Sequence, residues 1–99
     1  MAIDPKAIAP LDIGAVESET GISKDTLRVW ERRYGFPKPL RDANGERTYP
    51  LDQLVRLRSI RRLIDSGLRP GVVLRSSESE LAELVDRFTR AVARALAAR

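Results

Sequence analysis

Apolar positions recur at helical spacing in four stretches, and glycine or proline stands at the breaks between them. Residues 1–10 hold two prolines and little periodicity, so they read as an arm. Asp12 is placed to cap a helix of about two turns carrying Ile13, Val16 and Thr20 on one side, with Gly21 as its stop. Ser23 then caps a second helix from Lys24 to about Tyr34. Asp25 lies in its first turn, where the helix dipole favours an anion. Leu27, Trp30 and Tyr34 follow at i, i+3 and i+7 and predict its buried stripe, with Trp30 a core residue. Gly35 ends this helix, and Pro37 and Pro39 prevent its continuation.

From Leu40 to Tyr49 the rhythm changes. Asn44-Gly45 is the strongest short-range hairpin signal, and a type I′ turn is expected there, with Arg41 and Arg47 on its flanks. Pro50 opens a third helix running to about Ser66, with Leu51, Leu54, Leu57, Ile60 and Ile64 facing inward. Arg56, Arg58, Arg61 and Arg62 take its other sides, and Gly67 terminates it. Pro70 to about Arg75 forms a short fourth helix or only a turn. Ser77 to Glu80 fits a capping box for a last helix reaching about Ala98, roughly 30 Å long. Its apolar positions are Leu81, Leu84, Val85, Phe88, Val92 and Leu96, with Ala91 and Ala95 between them.

The last helix has two readings. As core it folds back and covers the third helix; as interface it pairs with its copy in an antiparallel coiled coil. Its length, after a small core is already closed, favours protrusion and dimerisation. The expected organisation is an arm over 1–10, a compact helical domain over 11–75 and a dimerisation helix over 76–99.

Ninety-nine residues suit one domain with a protruding element. The absence of Cys and His removes disulfides, thiolate nucleophiles, imidazole chemistry and the usual zinc ligands, so no enzyme, metal site or cofactor is expected. No apolar run is long enough to span a membrane, and the first residues lack the apolar core of a signal peptide. A cytoplasmic protein is expected.

Charge changes the picture more than composition does. Net charge is +4, and fifteen of the eighteen cations are Arg. Residues 24–62 carry eleven cations against five anions, whereas residues 1–23 carry one against four. Segregated positive charge is what a polyanion-binding surface needs, because each cation set on a phosphate releases counterions. Two short helices joined by a tight turn, followed by a basic hairpin, predict a mainly α winged helix-turn-helix. On its second helix Lys24, Arg28 and Arg32 fall at i, i+4 and i+8, displaced from the buried stripe and placed to enter a major groove.

Several segments together carry a family resemblance: Ile13-Gly14-Ala15-Val16, Thr20-Gly21-Ile22-Ser23, Thr26-Leu27-Arg28, Glu31 and Gly45-Glu46-Arg47-Thr48-Tyr49. In this order and spacing they resemble the mercury-resistance-regulator (MerR) family of bacterial transcription factors, over about Leu11 to Arg75. Trp30-Glu31-Arg32-Arg33-Tyr34-Gly35 and Leu68-Arg69-Pro70-Gly71 look most like its light- and cobalamin-responsive branch, which includes repressors of carotenoid genes. The resemblance implies a homodimer on a near-palindromic operator in double-stranded DNA, and a second wing around Gly67 to Gly71. It implies DNA contacts from Lys24, Thr26, Arg28 and Arg32 on the second helix and from Arg47 and Tyr49 on the wing. Arg41 and Asn44, at the same hairpin, complete the candidate set.

The chain also departs from the family. Val29-Trp30 stands where members have Tyr-Tyr, Pro50 stands where a Ser cap is common, and the cysteines of the metal sensors are missing. The histidine-bearing C-terminal domain of the cobalamin-responsive branch is not in these 99 residues, so either it belongs to a longer protein or this member works without it. Two other readings use the same fold: an architectural or excisionase-like DNA-bending protein, and a chaperone modulator that binds protein. The positive charge of residues 24–62 argues against the second of these.

Overall fold

A computed structural model describes residues 10–98; the expected N-terminal arm, Pro10 apart, lies outside them. The chain order is α1 (Ile13–Thr20), α2 (Lys24–Tyr34), β1 (Leu40–Arg41), β2 (Arg47–Thr48), α3 (Leu51–Asp65), α4 (Pro70–Leu74) and α5 (Glu78–Ala97). The described residues form two compact units that divide between Arg58 and Ser59.

In the first unit the helix ends are set by the residues expected to set them. Asp12 accepts from the Ala15 N–H, Ser23 accepts from the Thr26 N–H, and Gly21 and Gly35 close α1 and α2 in the left-handed region. Each such N-cap stabilises its helix by about 1 kcal/mol. The turn between the helices has further ties. The Thr20 hydroxyl donates to the Val16 carbonyl at 2.7 Å and accepts from the Ile22 N–H at 3.1 Å. Glu17 on α1 accepts from the Lys24 N–H at 2.8 Å, covering an amide that the first turn of α2 leaves open. Val16, Ile22, Leu27, Trp30, Pro37, Tyr49, Leu54 and Leu57 are buried.

The hairpin is antiparallel, pairing Leu40 with Thr48 and Arg41 with Arg47. Its turn differs from expectation. A type I′ turn needs positive φ at two central residues, yet no non-glycine residue among those described has positive φ, and Gly45 alone in the loop does, at 77°. The Gly45 N–H bonds to the Asp42 carbonyl and the Asp42 N–H to the Glu46 carbonyl, which is a turn followed by a glycine bulge. Asp42 explains the choice: its carboxylate accepts from the N–H groups of both Asn44 and Glu46, at 2.8 and 2.9 Å. At the base of the hairpin Leu11 and Tyr49 exchange both backbone bonds, so the segment entering α1 extends the pairing by one residue.

Pro50 sits just outside α3, and its carbonyl accepts the helix's first bonds from Gln53 and Leu54. Arg56, expected on an open side of α3, is half-buried with its guanidinium 4.5 Å from the centre of the Phe36 ring.

In the second unit Ile60, Leu63, Val73, Leu74 and Leu81 are buried. Leu63 takes the inward position expected of Ile64, which is half-buried. Residues 70–74 form a helix rather than a turn, and the capping box of α5 is present with both of its bonds. The Ser77 backbone N–H, and then its hydroxyl, hold the Glu80 carboxyl below the usual range. That contribution is present at neutral pH and is lost as pH falls through the lowered value.

Of the residues expected at a dimer interface, Leu81 is a correction. It is buried within a single copy and serves that copy's own fold. Leu84, Val85 and Phe88 are half-buried, while Val92 and Leu96 are 41% and 58% exposed. Among the described residues no helix is long and apolar enough to cross a membrane.

Candidate nucleic-acid interface

The α2 helix separates its two functions by angle. Leu27 and Trp30 are buried and Tyr34 half-buried, whereas Lys24, Arg28 and Arg32 are all exposed. At about 100° per residue the centres of the two stripes lie roughly 130° apart around the axis. The only ion pair these three cations make among the described residues joins Arg28 to Asp25 at 3.7 Å, with side chains 55% and 96% exposed. Such a pair is nearly worthless in water and leaves the guanidinium available. Thr26 is half-buried, and its hydroxyl accepts from that of Ser23 at 2.9 Å, which ties it to the cap.

The wing's cations behave differently. Arg41 donates from Nη1 to the Gly45 carbonyl at 2.8 Å and braces the loop. Arg47 donates from Nη1 to Glu31 Oε2 on α2 at 2.8 Å, a charge-assisted bond across sixteen positions of sequence. Asn44 is exposed at the loop tip. Tyr49, expected as a wing contact, is 0% exposed, so its side chain cannot reach a phosphate or base. Its pairing with Leu11 turns it inward, and its hydroxyl has no hydrogen-bond partner among the described residues.

The exposed cations are brought onto connected ground. One recess is lined by Arg28, Glu31, Arg32 and Arg47, a second by residues including Arg28, Arg41 and Arg47, and a third by residues including Lys38, Arg41 and Arg47. The surface between α2 and the wing is therefore concave, and the cations Arg28, Arg32, Lys38, Arg41 and Arg47 share it with the carboxylates of Asp12, Glu31, Asp42 and Glu46. Lys24, Arg28, Arg32, Arg41 and Asn44 are exposed on it or on its flanking elements, and Thr26 and Arg47 are partly withdrawn.

Sequence reasoning missed two contributors. Glu31 stands in the motif that carried the resemblance, but its partner is distant in the chain and no local spacing connects them. Gln53 on α3 grips the Lys38 backbone with both ends of its amide, donating to the carbonyl at 2.7 Å and accepting from the N–H at 2.8 Å.

Comparison with known proteins places this geometry. A family model described as the MerR HTH family regulatory protein matches residues 11–76. The HTH-type transcriptional repressor CarA of Myxococcus xanthus is 47% identical over 60 residues, covering 59% of this chain and 21% of that protein. The HTH-type transcriptional regulator MlrA of Salmonella typhimurium strain LT2 is 41% identical over 71 residues, covering 69% of this chain and 29% of that protein. The HTH-type transcriptional repressor CarH of Myxococcus xanthus is 38% identical over 48 residues, covering 48% and 16% respectively. The chain thus matches less than a third of the length of each of these relatives.

Proposed function

The chain belongs to the MerR HTH family of regulatory proteins, and from that premise we propose that it is a sequence-specific transcriptional regulator that binds a near-palindromic operator as a homodimer. The observation that carries this reading is the exposed ridge of Lys24, Arg28 and Arg32 opposite the buried Leu27 and Trp30. A helix so divided can insert one side into a major groove without disturbing the core behind it. In this reading Lys24, Thr26, Arg28 and Arg32 face the groove and its flanking phosphates, and Arg41 and Asn44 meet the backbone beside it. Arg47 reaches DNA only by loosening its hold on Glu31. Two of the relatives are named repressors, which supports repression, exerted at the nucleoid.

The dimer is assigned to α5. Leu84, Val85, Phe88, Val92 and Leu96 form a stripe that grows more exposed toward the C-terminus, as an unpaired coiled-coil seam would. Selection of bound duplexes from a random pool, followed by footprinting, tests the whole reading. One near-palindromic protected site is expected; several phased sites without a consensus would indicate an architectural protein instead. Phe88→Asp is expected to give a monomer in sedimentation with an unchanged circular dichroism spectrum. Loss of helical signal would place Phe88 in the core.

A further inference from the structure

Among the cations that line these recesses, Lys38 alone stands on neither α2 nor a strand of the wing. It lies in the segment between α2 and β1, exposed, and its ammonium has no partner among the described residues. Its backbone is held much more firmly than its exposure requires. Water would satisfy an exposed N–H and C=O, yet the Gln53 amide takes both, at 2.8 and 2.7 Å. The fully buried Pro37 precedes it and Pro39 follows it, each with a restricted φ. What the clamp adds is position: the backbone of one lysine is fixed while its charged end stays in solvent.

The position is informative. Lys38 shares a recess with Glu31, Arg41 and Arg47, between the end of α2 and the wing. The Glu31 carboxylate is bonded to Arg47, which leaves Lys38 and Arg41 as the uncompensated charges there. A compact ammonium whose backbone is fixed, lining the same recess as a guanidinium, suits a single phosphodiester.

We propose that Lys38 contacts a DNA backbone phosphate at the foot of the wing, outside the groove that α2 enters, and that Gln53 is a positioning residue that holds it there. This rests on the DNA-binding reading above. The test is titration of the 99-residue chain with a fluorescein-labelled duplex of random sequence, followed by anisotropy over a series of potassium chloride concentrations. Lys38→Gln is expected to flatten the dependence of log affinity on log salt by about 0.9 per copy of the chain, and Lys38→Arg to restore it. Gln53→Ala is expected to weaken binding in the wild-type background and to change nothing in the Lys38→Gln background. A Lys38→Gln slope equal to that of the wild type overturns the proposal. So does a Gln53→Ala loss of the same size in both backgrounds. If Gln53→Ala does not fold, the two Lys38 variants decide alone. Should the wild-type chain itself show no salt-dependent binding to duplex, the DNA-binding reading fails first and takes this proposal with it.

Discussion

On α2, Lys24, Arg28 and Arg32 stand in solvent, and their single ion pair among the described residues is a loose one to Asp25. On the wing, Arg41 braces the loop through the Gly45 carbonyl and Arg47 is bonded to Glu31. The two regions carry the same residue type but use it differently, and the reason is cohesion. The α2 helix has its own backbone ladder, two caps and an apolar stripe, so its cations owe nothing to the fold. A hairpin of two paired positions is marginal by itself and recruits its side chains to hold it in place. A cation count therefore overstates the binding capacity of the wing relative to that of the helix.

The largest effect should come from breaking the helix side of this comparison. Arg28→Ala is expected to weaken binding to the selected operator by about 1–3 kcal/mol in a titration, and to relax preference at one base position. An equal loss on every sequence would make Arg28 a phosphate contact instead. The wing side is sharpened by Glu31→Gln, which keeps an acceptor for Arg47 but removes the negative charge that compensates its guanidinium. Its expected signature is a steeper salt dependence on random duplex, by up to about 0.9 per copy, where loss of an α2 cation flattens it. The same variant should lower folding stability by less than about 1 kcal/mol in a denaturant titration, since Arg47 is more than a third exposed. Arg47→Ala with a slope flattened as much as that of Arg28→Ala would erase the distinction between the two regions. The smallest effect belongs to Tyr49→Phe. With a buried hydroxyl that has no partner among the described residues, it should change thermal stability by no more than about 0.5 kcal/mol and leave DNA affinity unaltered.

The same contrast explains what could be read in advance. Helix ends at Asp12, Gly21, Ser23, Gly35 and Ser77 were legible because a cap and its amide lie within a few residues of each other. The α2 ridge was legible because helical period alone separates Lys24, Arg28 and Arg32 from Leu27 and Trp30. The hairpin itself was visible in Asn44-Gly45, but its turn type was not, because the Asp42 carboxylate selects it. Tyr49 was misread for a related reason: its inward direction follows from pairing with Leu11, thirty-eight positions away. The roles of Glu31 and Gln53 likewise depend on partners that no local pattern joins. Leu81 carries the same apolar character as Phe88, and only the folded chain shows that one is enclosed while the other is partly open.

The two backbone bonds between Leu11 and Tyr49 make the foot of the hairpin the place where the chain enters its first helix. A dye placed at exposed Pro10 would therefore sit one residue from the wing's own backbone and report on its mobility without disturbing a cation.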